Sequence, residues 1–92
     1  MATEYAHQTH TEVVKRLKRA KGHLETVIEM IERERECLDL AQQLHAVEKA
    51  IANAKKMLIH DHIDHCLEQS VSGSDKDARV SIREFKQISK YL

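Results

Sequence analysis

From Cys37 to Ser70 the chain contains neither Gly nor Pro, and nothing else in the sequence restricts the fold as strongly. The run C-L-D-L-A-Q-Q-L-H-A-V-E-K-A-I-A-N-A-K-K-M-L-I-H-D-H-I-D-H-C-L-E-Q-S predicts one unbroken helix. At 1.5 Å per residue such a helix would be roughly 50 Å long. A chain of 92 residues cannot cover a rod of that length by itself. A partner chain is therefore implied. Leu40, Leu44, Val47, Ile51, Ala54 and Leu58 alternate steps of four and three, the seam of an antiparallel bundle or coiled coil.

Upstream, Val13, Leu17, Ala20, Leu24, Val27 and Ile31 repeat with the same spacing and predict a second amphipathic helix. Thr9 or Thr11 can cap it, and Glu12 suits the positive end of its dipole. Gly22 costs this helix about 1 kcal/mol relative to Ala and is read as the mark of a close helix crossing. The run R-E-R-E at 33–36 is the expected break between the two helices. Residues 1–10 are polar and aperiodic and read as a flexible N-terminal arm, leaving 11–92 as a single domain. After Ser70, V-S-G-S-D-K-D carries a loop signature, and a short helix from about Ala78 to Tyr91 presents Ile82, Phe85, Ile88 and Leu92. Aromatic residues make up 3% of the chain and charged residues 33%, with no Pro, which fits aliphatic helix packing. The class is all-α: a three-helix protomer whose two long helices pair with two more in an antiparallel four-helix bundle.

The long helix carries different chemistry at its two ends. Cys37 opens it, while His62 and Cys66, spaced i and i+4, fall on one face near its far end and can grip one ion. Cys37 and His62 are 25 residues apart, roughly 37 Å on a straight helix. Only a second copy running the other way can bring them together. Two thiolates and an imidazole form a soft, low-coordinate set that suits Cu(I); Zn would accept it but normally wants a fourth ligand. The plainer alternative has both cysteines as small buried hydrophobes and His62 as a surface residue. His60, His65 and His45 are less constrained, since a His-rich helix end is commonly solvated. Two cysteines without a signal peptide or a transmembrane run point to the cytoplasm and to free thiols.

Net charge is zero, but its distribution is uneven. Lys15, Arg16, Lys18 and Arg19 span more than one face of the first helix, so some can follow a phosphate backbone while Leu17 and Ala20 face inward. Lys49, Lys55 and Lys56 could extend that patch, diluted by Glu48 and Glu68. A solvated face explains the same run. No phosphate loop, nucleophile elbow or HExxH is present, so no catalytic role or small-molecule substrate is indicated.

The segments L-K-R-A-K-G-H-L-E, E-C-L-D-L-A-Q-Q-L-H-A-V and H-D-H-I-D-H-C-L, at these separations, resemble the CsoR/RcnR family of small bacterial metal-sensing repressors. Within that family they are most similar to the NreA-like, nickel-resistance-associated group. The resemblance covers residues 11–92. It implies a three-helix protomer, an antiparallel four-helix-bundle dimer, a dimer of dimers, and operator binding without a helix-turn-helix. It also implies a copper site shared between protomers, matched by Cys37, His62 and Cys66. Nickel- and cobalt-sensing members add a histidine from the N-terminal segment. Tyr5 stands at that position here, with His7 and His10 nearby. A DNA-contacting Arg of the family is matched by Arg16, and Glu48 replaces a basic residue on the second helix. Glu84 matches a carboxylate that supports the ligands and couples metal to DNA, and Glu36 stands where its Tyr partner would be.

These readings predict a cytoplasmic homodimer or homotetramer that binds operator DNA and releases it on binding Cu(I). One alternative is a metal-buffering protein that binds no operator. The other is a Ni(II) or Co(II) sensor that recruits His7 or His10.

Overall fold

A computed structural model describes the backbone of residues 2–92; the side chains of residues 2–8, 69, 70 and 72 lie outside the described ones. Three α-helices follow in order: α1 (Ala2–Glu32), α2 (Cys37–Ser72) and α3 (Asp75–Ile88), closed by a 3-10 turn at Ser89–Tyr91. No strand occurs among the described residues. The unbroken central helix is present as expected and runs two residues further, to Ser72. Among the described residues no helix is long and apolar enough to cross a membrane.

In the segment read as an arm, the backbone is helical from Ala2 and continuous with the rest of α1. Apolar periodicity reports which face is buried, not whether a segment is helical. Once a helix is nucleated downstream, each residue added upstream gains a hydrogen bond, and Ala2, Glu4, Ala6 and Gln8 are good formers. The loop before α3 is also shorter than expected, and α3 begins at Asp75 rather than near Ala78. Ser74 is its N-cap, in an extended conformation, with Oγ accepting from the Asp77 N–H at 3.2 Å. Asp75 and Asp77 in the first turn and Lys86 in the last oppose the dipole charges at either end.

The chain comprises two compact units, one of Thr11–Lys55 and one of the residues up to His10 with Lys56–Leu92. In the first, α1 ends in a tight reversal. The Arg35 N–H donates to the Met30 carbonyl at 3.1 Å and the Glu34 N–H to that of Ile31 at 3.0 Å, the paired bonds of a Schellman motif. Its left-handed position is held by Glu34, φ 56°, where Gly would be unstrained. Val13, Ala20 and Val27 on α1 and Val47 and Ala54 on α2 are buried, every second member of the α1 seam and, after the half-buried Leu40, of the α2 seam. His23 Nε2 lies 2.6 Å from Gln43 Oε1, an oxygen that only accepts, so the ring nitrogen is the donor linking the helices. The alternate seam members stay open: Leu17 is 42% exposed, Ile31 49%, Leu44 43% and Ile51 44%. Gly22 meets no neighbour within 4 Å of where a Cβ would stand, so within this chain it marks no close crossing.

In the second unit Ile59, Asp61, Cys66 and Ser81 are buried. The Thr9 hydroxyl donates to Asp61 Oδ1 at 3.0 Å, giving a buried carboxylate its partner from a residue 52 positions away.

Candidate metal centre

Helix periodicity sets the first two side chains of the site. His62 and Cys66 are one turn apart on α2, the spacing that stacks residues on one face. The third comes from α3, which the short Gly73–Ser74 connection returns against the end of α2 within the same unit. Glu84 Oε2 stands 3.7 Å from His62 Nε2 and accepts a long hydrogen bond from the Cys66 thiol at 3.9 Å. Ligand atoms of all three lie within 4.8 Å of one another, and among the described residues this is the one cluster of His, Cys and carboxylates able to hold a metal ion.

Burial differs sharply across the three. Cys66 is 3% exposed, His62 is intermediate and Glu84 is exposed. Burial, then the charge of Glu84 and its hydrogen bond, push the Cys66 thiol above its ordinary 9.0. The thiol is therefore protonated at neutral pH, and a metal must displace that proton to gain a thiolate. Beside the cluster an open cavity of about 560 Å³ is lined by His62, Glu84, Gln87, Ile88, Lys90 and Tyr91. A smaller, mainly apolar one of about 310 Å³ is lined by Cys66, Leu67, Ile82 and Phe85.

Cys37, the first residue of α2, is exposed and belongs to the other unit; it is not in the cluster. His10 and His60 are exposed and His65 is intermediate, and none of them joins the cluster. The side chain of His7 lies outside the described residues. Of the two cysteines that the plainer alternative buries, Cys66 is buried, with Glu84 beside its thiol, and Cys37 is exposed. Glu84 was legible only through resemblance, as a support for the ligands; its position at ligand distance depends on how α3 packs, which no local pattern encodes.

The basic residues Lys15, Arg16, Lys18 and Arg19 on α1 and Lys49 and Lys55 on α2 are all exposed in the first unit, and Lys56 is exposed in the second. Arg16 Nε pairs with Glu12 Oε1 at 3.6 Å, both partners being nearly half exposed. A pair this exposed is worth at most about 1 kcal/mol, so the guanidinium can exchange it for a phosphate. Arg16 and Arg19 open onto a cleft of about 230 Å³ with His23 and Asn53.

The chain matches the family described as "Metal-sensitive transcriptional repressor" over residues 9–91. It is 31% identical over 81 residues to the copper-sensing transcriptional repressor CsoR of Bacillus subtilis (strain 168), covering 86% of this chain and 80% of that one. It is 38% identical over 56 residues to the CsoR of Mycobacterium ulcerans (strain Agy99), covering 61% of this chain and 48% of that one. Against the copper-sensing repressor RicR of Mycobacterium tuberculosis (strain ATCC 25618 / H37Rv) it is 31% identical over 69 residues, covering 73% and 72%. The fold is that of the nickel-responsive transcriptional regulator InrS, with a TM-score of 0.79 at 24% identity, covering 89% of this chain and 91% of that one. With three helices in this order, His62 and Cys66 on one face of the second, and a family match spanning nearly its whole length, the chain belongs to the CsoR/RcnR family of metal-sensitive transcriptional repressors.

Proposed function

We propose that this repressor senses Cu(I), through a site at which Cys37 of one chain completes the pair His62 and Cys66 of a second. The observation that carries the reading is the preset His62–Cys66 pair, a buried sulfur and a solvent-reachable imidazole on one helical face. A second thiolate converts that pair into the soft trigonal set Cu(I) prefers. The relatives named as copper-sensing support the choice of ion. The half-exposed seam residues Leu17, Leu24, Ile31, Leu44 and Ile51 support pairing of copies as a homodimer or homotetramer, since large apolar side chains at heptad spacing are otherwise left in water.

In this reading metal-free protein holds operator DNA through Lys15, Arg16, Lys18, Arg19, Lys49, Lys55 and Lys56. Release follows when Cu(I) draws Cys37 toward the second chain's His62 and Cys66, because only a contact that differs between the two states moves the equilibrium. Shifting the operator from almost fully bound to almost fully free needs about 5.5 kcal/mol of differential binding. A new copper–thiolate bond supplies a difference on that scale. Cys37→Ala is expected to abolish tight Cu(I) binding and copper-dependent release of DNA while helicity stays unchanged. Retained copper affinity in that variant would refute the site. Salt-dependent binding to the chain's own upstream DNA separates a repressor from a metal buffer, which has no affinity to lose as salt rises.

One observation favours a second reading, a Ni(II) or Co(II) sensor that uses His10 or His7. The Thr9–Asp61 hydrogen bond anchors the start of α1 beside the residue that precedes His62. Replacing His7 and His10 together by Ala should weaken Ni(II) binding and spare Cu(I).

A further inference from the structure

We propose that Thr9 and Asp61 are positioning residues for the metal response: their hydrogen bond is the link through which occupation of the site at His62 acts on α1, the helix that carries Lys15, Arg16, Lys18 and Arg19. The inference deepens the reading of the chain as a repressor released from DNA by metal, and rests on it. The sequence offers Thr9 as a cap, but α1 already runs from Ala2, so the hydroxyl caps nothing. Inside a helix a Thr hydroxyl commonly returns to the carbonyl four residues back, as that of Thr26 does to Gly22 at 3.2 Å. Thr9 instead directs its one proton across to Asp61 Oδ1 of α2, at 3.0 Å. Asp61 is 9% exposed, so little water reaches it to replace that donor, and a buried carboxyl group left without one is costly. This bond therefore holds α1 to α2 in a way that the half-exposed Arg16–Glu12 pair, within one helix, does not.

Their order along α2 ties this contact to the metal centre. Asp61 and His62 are consecutive, so their side chains leave the helix about 100° apart. One meets α1, and the other meets Glu84 of α3 at 3.7 Å. Both contacts lie in the same compact unit. When His62 and Cys66 close on an ion, α2 turns about its axis and Asp61 turns by the same angle. With side-chain tips about 5 Å from the axis, a turn of about 10° moves them by about 0.9 Å. A hydrogen bond of 3.0 Å stretched by that much is lost. Either the carboxyl group gives up its donor or α1 follows it. In both cases the position of α1 has a different free energy with the site filled than with it empty, which is what coupling between two sites requires. α1 is unbroken, so no joint between Thr9 and Arg19 absorbs the shift before it reaches the basic residues.

The test measures affinity for the chain's own upstream DNA twice, metal-free and loaded with Cu(I), using the reduced, full-length chain as wild type, Thr9→Val and Thr9→Ser. Cu(I) affinity is measured separately without DNA. The quantity read is the factor by which Cu(I) weakens DNA binding. Thr9→Val keeps the shape of the side chain and removes the hydroxyl. It is expected to shrink that factor by on the order of 10-fold, with metal-free DNA affinity and Cu(I) affinity close to wild type. Thr9→Ser restores the hydroxyl and should restore the factor. Should circular dichroism show Thr9→Val unfolded by its unpaired carboxylate, Thr9→Val/Asp61→Leu removes both polar ends together and should show the same loss. A wild-type factor in the folded variant overturns the proposal, including the case in which both DNA affinities change equally. An equal loss in Thr9→Ser also overturns it, because the effect would then lie in packing and not in the hydrogen bond. Each of these results leaves copper-dependent release in place. Wild type that does not bind the DNA, or binds it equally with and without Cu(I), overturns the reading on which the proposal rests.

Discussion

Leu44 offers a direct test of how copies of the chain meet. It sits in the α2 seam between the buried Val47 and the half-buried Leu40, yet 43% of it remains in water. Complete burial of a Leu side chain is worth about 1.5–3 kcal/mol, so covering the remaining two-fifths contributes about 1 kcal/mol per copy. A twofold interface uses the position twice, giving about 2 kcal/mol, or roughly 30-fold in the dissociation constant. Leu44→Glu removes this contribution and adds the cost of drawing an unpaired carboxylate out of water, so 30-fold is the lower bound. Gln42→Glu adds the same charge to an exposed position outside the seam and should leave assembly unchanged. Sedimentation equilibrium over a dilution series reads the constant, and circular dichroism checks that the helices persist. With the shared site proposed for Cu(I), Leu44→Glu should weaken copper binding at low protein concentration and recover it at high concentration. A dissociation constant equal to wild type would refute the seam as the interface, whatever the copper result.

Three other outcomes follow from the geometry. Glu34→Gly relieves a left-handed backbone that costs a side chain about 1 kcal/mol, so its urea midpoint should rise with unchanged slope. Ser74→Ala removes the hydroxyl that caps α3 and should cost about 1 kcal/mol. Hydrogen exchange confined to the first turn of α3 would show it, and unchanged protection there would refute the cap. The Cys66 thiol holds its proton more tightly folded than unfolded, so its contribution is present at neutral pH and lost as pH climbs through the raised value. Metal-free, reduced protein should therefore lose stability above about pH 9, and Cys66→Ser should flatten that loss.

The long helices were legible because their signals are local and redundant. No breaker interrupts Cys37–Ser70, and the four-three spacing of Val13 through Ile31 marks a face whichever partner covers it. That spacing did not say which members α1 and α2 would bury in each other and which would stay open. Val27 and Ile31 look alike in the pattern, yet one is wholly buried and the other half exposed. The i, i+4 pair of His62 and Cys66 could be read for the same reason as the helix. The Thr9–Asp61 bond and the approach of Glu84 could not, because they join residues 52 and 18 positions apart through packing. α3 starts before the expected Ala78 because S-D-K-D, although loop-like in composition, is also a cap, with Ser followed three residues later by Asp.

Only Gly73 and Ser74 separate the end of α2 from the start of α3. So short a tether spans no more than about 7–10 Å even when taut, which denies α3 any freedom to slide. Displacement of α3 as a body is thereby limited to a swing about that joint, in which Phe85, Ile88 and Tyr91 travel together. The apolar side chains near the C-terminus are in this way held to a single degree of freedom.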